Sequence, residues 1–277
     1  MNPEVREEWK VVTVAGVGLI GGSFALALRQ AGFQGKIIGV SSPATVRAAL
    51  DRGAIDEALP LAEAAAQSDV VYLAQPIEKI LETLTVLDGA VRPGTLITDA
   101  GSTKQAIVER AGQTIRRGRF VGGHPMAGKE ARGVQAADPN LFQSRPYVLT
   151  DSDATLEHWI AKIGARLVKL DAAEHDRLVA LVSHLPQLLS TTLASLIADS
   201  PEAARVAGPA AADLTRLALS SYEIWHDIFS TNAGEIDRVI GDAIARLQTL
   251  RENLLSESDM QATFARAAQA ASRLREI

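Results

Sequence analysis

The chain has 277 residues, 47% of them hydrophobic, with no cysteine and a formal net charge of −5. Zero cysteines exclude disulfides, thiolate nucleophiles and thiolate metal sites, so any redox chemistry needs a bound cofactor, and the acidic balance without a basic run excludes nucleic acid as a partner. No apolar run approaches the roughly 20 residues that span a bilayer and the acidic start at 1–8 is unlike a signal peptide, so a cytoplasmic protein without membrane contact is expected.

The first strand signal, at 11–15, runs straight into Gly16-Val17-Gly18-Leu19-Ile20-Gly21 and then into a helix-forming stretch at 24–28. Gly16 permits a tight turn, Gly18 lets the backbone approach a pyrophosphate, and Gly21 lets the helix pack closely on the strand. Val17, Leu19 and Ile20 belong to the same loop, whose free N–H groups and helix dipole attract a phosphate without any lysine.

Further β-rich runs at 36–40, 69–74, 95–98, 119–122, 147–150 and 166–169 alternate with helical ones, for example 77–90 and 103–112. This is the pattern of a doubly wound parallel sheet, a Rossmann-type α/β domain expected over 1–170. The second strand ends in Ser41-Ser42 and not in the carboxylate that an NAD site places there. Two hydroxyls and the nearby Arg47 tolerate a 2′-phosphate, which leans the cofactor expectation towards NADP over NAD. Ala74 and Pro76, at the carboxyl end of the 69–74 strand, complete the expected cofactor-contacting set.

Two polar clusters follow strands. In Asp99-Ala100-Gly101-Ser102-Thr103-Lys104, Ser102 and Thr103 can cap the next helix or aim hydroxyls at a bound carboxylate. In Gly122-Gly123-His124-Pro125-Met126-Ala127-Gly128, a histidine sits in what reads as a loop of restricted shape, suited to taking a proton at neutral pH.

After Asp171 the strand signals stop, and apolar residues recur at helical spacing to the end. An all-helical domain is expected over 171–277, and its long apolar faces imply a homodimer. Within it lie Glu174-His175-Asp176-Arg177, Ser183-His184-Leu185-Pro186-Gln187, Asp213-Leu214-Thr215-Arg216 and Trp225. Pro186 should kink its helix beside His184. The His175/His184 spacing is not that of a metal pair, so no metal is expected. Arg216 has the shape to hold a carboxylate bidentately or, more blandly, pairs with Asp213 on one helix face.

Taken in order, Gly16–Ser23, Asp99-x-Gly-Ser102-x-Lys104, Gly123-His124-Pro-Met-Ala-Gly128, Ser183-His184-Leu-Pro186 and Asp213-x-Thr-Arg216 with Trp225 resemble the prephenate/arogenate dehydrogenase family of tyrosine biosynthesis. The resemblance implies oxidative decarboxylation of a small anionic cyclohexadienol, with hydride passing to a nicotinamide and CO2 leaving as the ring becomes aromatic. By position, it implies that His124 binds and deprotonates the C4 hydroxyl, with Ser102 orienting it and Thr103 beside it. It also implies that Arg216 grips a carboxylate, that His184 lines the pocket and that Trp225 packs around it. Lys129 stands where many members have Thr or Ser, and Ser41 where NAD-dependent members usually have Asp. Two other readings combine the same halves. One is a β-hydroxyacid dehydrogenase or imine reductase, expected to carry a lysine or aspartate where this chain has histidines. The other is a non-catalytic NADPH-sensing regulator.

Overall fold

The computed structural model describes residues 9–129 and 131–275; the acidic start at 1–8 lies outside them. The first half contains β1 (Val11–Ala15), α1 (Leu19–Gln30), β2 (Lys36–Val40), α2 (Pro43–Asp51), β3 (Glu57–Ala58), α3 (Leu61–Gln67), β4 (Val70–Leu73), α4 (Ile77–Leu87), β5 (Leu96–Asp99), α5 (Gln105–Thr114) and β6 (Arg119–Val121). Its six strands form one parallel sheet in the order β3-β2-β1-β4-β5-β6. Strand order reverses between β1 and β4, which opens the crevice at their carboxyl ends where such sheets bind ligands.

Both faces of this sheet are covered, so its central strands β1 and β4 are almost wholly apolar. Along β4, Val70 and Tyr72 join one core with Phe24, Leu28 and Trp159, while Val71 and Leu73 join another with Ile80, Leu84 and Ile97. That alternation is the period-two geometry of a strand expressed as two cores. The second core also contains Ala180, Ile228, Ile236 and Val239. The helical half is therefore docked on the α4/α5 layer.

The chain departs from the expected seven-stranded sheet after β6. Gly122 breaks the strand, and β7 (Gly123–Pro125) pairs antiparallel with β8 (Pro146–Leu149), which pairs parallel with β9 (Arg166–Lys169). Between β8 and β9 lies α6 (Ala154–Lys162). The strands expected at 147–150 and 166–169 thus belong to a second, three-stranded sheet. His124 lies on β7 opposite Val148 and not in a loop; a three-residue strand containing glycine and proline carries almost no β signal. The two-residue β3 was missed for the same lack of pattern. Helix α5 begins two residues later than expected, and α4 ends at Leu87 and not at Ala90.

The remainder is helical: α7 (Ala172–Val179), α8 (Leu185–Ala198), α9 (Pro201–Arg205), α10 (Pro209–Thr215), α11 (Tyr222–Thr231), α12 (Ala233–Glu252) and α13 (Glu257–Arg275). Residues Ala180–His184 form a π turn that joins α7 to α8 without a break. Pro186 has no N–H for the ladder, and the widened turn ahead of it absorbs the misfit. The result is a continuous 27-residue helix, Ala172–Ala198, long and apolar enough by length and composition to cross a membrane. The expectation that no segment reaches that length is corrected: the proline and the polar cluster around His184 divide the run in sequence but not in space. It exposes the apolar side chains Leu181, Val182, Leu189 and Leu196, and α12 and α13 expose Ile244, Leu247, Phe264 and Leu274.

Candidate active site

The crevice is shaped by the glycine loop. Gly16 has φ +92°, and a Cβ there would lie 2.4 Å from the Ala74 carbonyl oxygen; a Cβ on Gly21 would lie 2.1 Å from the Gly16 oxygen. Around Gly18 a Cβ would meet nothing within 4 Å. Gly18 is also the N-cap of α1 and offers it no side-chain hydrogen bond. An open, uncapped helix start is the environment that binds a pyrophosphate. Val17 is wholly buried in the core, so only its backbone faces this space.

Leu19, Ile20, Ala74, Pro76 and Ser102 line one cleft of about 470 Å³, together with Gly101. Its opposite wall carries Lys129, Arg132, Glu223 and Asp227. Of those four, sequence reasoning singles out Lys129 alone, as a departure from the family's pattern expected to alter contacts at the substrate's side chain. Asp227, nearly buried on α11, accepts the Glu78 N–H at 3.1 Å and so caps α4 from the helical half. Ser41 and Ser42 are exposed at the end of β2, where Ser42 caps α2 by accepting the Thr45 N–H at 3.4 Å. Arg47, also exposed, lies one turn further along α2 beside a separate shallow cleft.

Ser102 and Thr103 do not cap α5. The N-cap is Lys104, and the cap acceptor comes from the other half of the chain: Asp176 accepts the Lys104 N–H at 2.7 Å and the Gln105 N–H at 2.9 Å. Thr103 is fully buried, its hydroxyl 2.7 Å from that of Thr231, so it does not reach the cleft.

Asp176 also orders the histidines. His175 Nδ1 lies 2.7 Å from Asp176 Oδ1, and His175 Nε2 lies 2.8 Å from His124 Nδ1. A carboxylate only accepts, so His175 donates from Nδ1, and as a neutral ring it accepts at Nε2. His124 must then donate from Nδ1, which leaves the Nε2 lone pair of a neutral ring as its remaining polar group. Burial, together with neighbouring His175, Lys104 and His184, holds the His124 pKa well below the usual histidine value. The ring is thus a proton-free base throughout the neutral range.

His184 is fully enclosed within the helical half and does not line the cleft. Its Nδ1 is 3.4 Å from Asn232 Nδ2, and its ring meets Trp225 edge-on at 5.9 Å. Burial first, then His175, pushes its pKa down to about 4, against the opposing pull of Asp176. A histidine lowered on folding gives full stability above about pH 6.5, and that stability is lost as pH falls towards 4 while the unfolded chain takes up the proton. Denaturant titrations at pH 7 and pH 4.5 should show a stability loss that is smaller by about 2–3 kcal/mol in His184→Asn than in the parent, with His124, which is also lowered, still contributing to the loss that remains.

Arg216 opens an exposed 3₁₀ turn, Arg216–Leu219, that packs on α8, and it does not line the cleft. Trp225 is half-buried, its indole N–H donating to Ser220 at 3.1 Å. Neither His175 nor His184 is set as a metal ligand, since each ring is engaged in the contacts above. Among the described residues, Glu78, His226 and Asp227 place potential ligand atoms within 4.8 Å of one another at the cleft rim. The His226–Asp227 hydrogen bond and the α4 cap account for that grouping.

Residues 24–174 match the family model for the nucleotide-binding domain of prephenate dehydrogenase, and residues 171–268 match that for its dimerization domain. The prephenate dehydrogenase of Lactococcus lactis subsp. cremoris is 37% identical over 230 residues, a match covering 80% of this chain and 65% of that protein. The structure aligns with prephenate dehydrogenase from A. aeolicus in complex with hydroxyphenyl propionate and NAD+. That alignment has TM-score 0.87 and 28% identity and covers 99% of this chain and 100% of the other. Synechocystis arogenate dehydrogenase aligns at TM-score 0.81 and 29% identity, over 96% of this chain and 100% of its own. The two domain models follow one another in the order of the two structural halves, and the chain belongs to the prephenate dehydrogenase family.

Proposed function

We propose that this chain is an NAD(P)-dependent dehydrogenase that oxidatively decarboxylates prephenate or arogenate, with His124 as its base. The observation that carries the reading is the chain Asp176–His175–His124, which fixes one tautomer and reserves His124 Nε2 for a substrate hydroxyl. The glycine loop fits a dinucleotide, since the open space at Gly18 adjoins an uncapped helix start. A nicotinamide held there supplies the acceptor for the substrate's C4 hydride. His124 takes the proton of the C4 hydroxyl as that hydride leaves. It returns the proton to the ring oxygen when loss of CO2 sends an electron pair into the ring. Ser102, on the cleft wall, orients the hydroxyl, and the cleft cations Lys129 and Arg132 hold the substrate's carboxylates.

Ser41, Ser42 and Arg47 favour NADP, because no carboxylate ends β2 to repel a 2′-phosphate. A homodimer follows from the exposed apolar side chains, which lie almost entirely on the helical half. The matched dimerization-domain model supports it. Initial rates of reduced-nicotinamide formation with each pairing of prephenate or arogenate with NAD+ or NADP+ test the reading. Turnover is expected, with the larger kcat/KM on NADP+. Silence in all four pairings with cofactor binding intact would overturn the enzyme and favour a cofactor sensor.

A further inference from the structure

Asp99 ends β5 and is completely buried. Its Oδ1 accepts the Gly123 N–H at 3.0 Å, and its Oδ2 accepts the Gly101 N–H at 2.8 Å and the Lys104 ammonium. Gly101 immediately precedes Ser102, and Gly123 immediately precedes His124. One carboxylate therefore holds, by a single planar group, the two backbone segments that carry the hydroxyl and the base of the proposed reaction. Lys104 is equally buried. Its ammonium is the ion-pair partner of that carboxylate in the interior.

We propose that Asp99 is the positioning residue of this active site, its carboxylate setting the separation of Ser102 and His124, with Lys104 as its buried ion-pair partner. The proposal rests on the reading of His124 as the base. It assigns the pair a second effect. The groups around His124 are His175 and Asp176 on α7, His184 in the π turn, Lys104 ahead of α5 and Asp99 on β5. The buried Tyr72 and Tyr147, their hydroxyls 3.2 Å apart, lie close to Asp99 and stay neutral because burial raises both. Among these groups Lys104, its pKa lowered by burial but held up by Asp99, is the cation whose field helps to keep His124 proton-free.

Two variants separate geometry from charge. Asp99→Glu keeps the charge but displaces the carboxylate by one methylene; Asp99→Asn/Lys104→Gln removes both charges and keeps hydrogen-bonding groups. The readouts are kcat, KM and an NMR titration of the His124 imidazole, which needs no turnover. Asp99→Glu should lower kcat roughly 10- to 100-fold, with KM within about threefold and the imidazole midpoint unchanged. The double variant should raise the imidazole midpoint by about half a pH unit or more. If it does not fold, Lys104→Arg, which retains the cation, should leave the midpoint at the parent value. Near-parent kcat in Asp99→Glu, an unmoved midpoint in the folded double variant, or a shifted midpoint in Lys104→Arg would overturn the assignment. A parent enzyme without turnover on any substrate would instead overturn the function proposed above, and the imidazole titration would still read the charge effect.

Discussion

His124→Ala should lower kcat by roughly 100- to 10,000-fold while leaving cofactor affinity within about threefold of the parent. The loss falls on kcat because, in the proposed reaction, the ring acts on a proton that moves only as the C4 hydride leaves, whereas the proposed dinucleotide site at the glycine loop lies on other elements. The parent kcat/KM should hold through neutral pH and decline only on the acid side of the ordinary histidine value, because burial and the adjacent His175 keep His124 unprotonated. Steady-state rates across pH 5–9 with a tryptophan-fluorescence cofactor titration measure both quantities. A variant that retains more than a tenth of parental kcat would remove His124 from the role of base.

Gly21→Val should weaken cofactor binding by roughly 100-fold or more, which corresponds to about 2.7 kcal/mol. The added Cβ would lie 2.1 Å from the Gly16 carbonyl oxygen and 2.8 Å from Val14 Cγ1. The first of these is backbone of the phosphate loop itself, so either the loop or α1 must move. Gly18→Ala makes a contrasting control. Its Cβ enters open space in the ligand-free protein, so stability should stay close to that of the parent while cofactor affinity falls, because the methyl occupies the approach to the pyrophosphate. Thermal denaturation read beside the cofactor titration separates the two: parental affinity in Gly18→Ala would show that the dinucleotide does not lie against this loop.

Much of the fold was legible because it is written in local pattern. The strands at Val11–Ala15, Lys36–Val40 and Arg166–Lys169 fall where their β-branched runs place them, and the glycine spacing marked the strand-to-helix turn at β1. What escaped has no local signature. β7 is three residues long, and only its pairing with β8, more than 20 residues away, makes it a strand.

The site divides in the same way. Ser102 and, of the glycine loop, Leu19 and Ile20 line the cleft, while His124 is not among its lining residues and meets His175 at 2.8 Å. The partners that set its tautomer, His175 and Asp176, lie 51 and 52 residues on and are brought in by docking of the helical half. A neighbouring His-Asp pair at the start of a helix was the available signal, but in sequence His175 is weighed only against His184, as a rejected metal pair. Conversely, Thr103 and His184 sit inside apparent motifs but turn into the protein, because a motif fixes spacing and not which face of its element meets a ligand. Asp99 was visible as part of a motif; that its carboxylate ties together the segments before Ser102 and His124 depends on a contact across 24 residues.

The most direct test of the central claim is the stoichiometry of CO2 to reduced nicotinamide, measured with the preferred substrate and cofactor in the parent and in His124→Ala at saturating cofactor. A single event at His124 that couples hydride loss to decarboxylation predicts one CO2 per reduced nicotinamide in the parent, and both products falling together in the variant while cofactor binding persists. Reduced nicotinamide without CO2, or unchanged rates in His124→Ala, would contradict it.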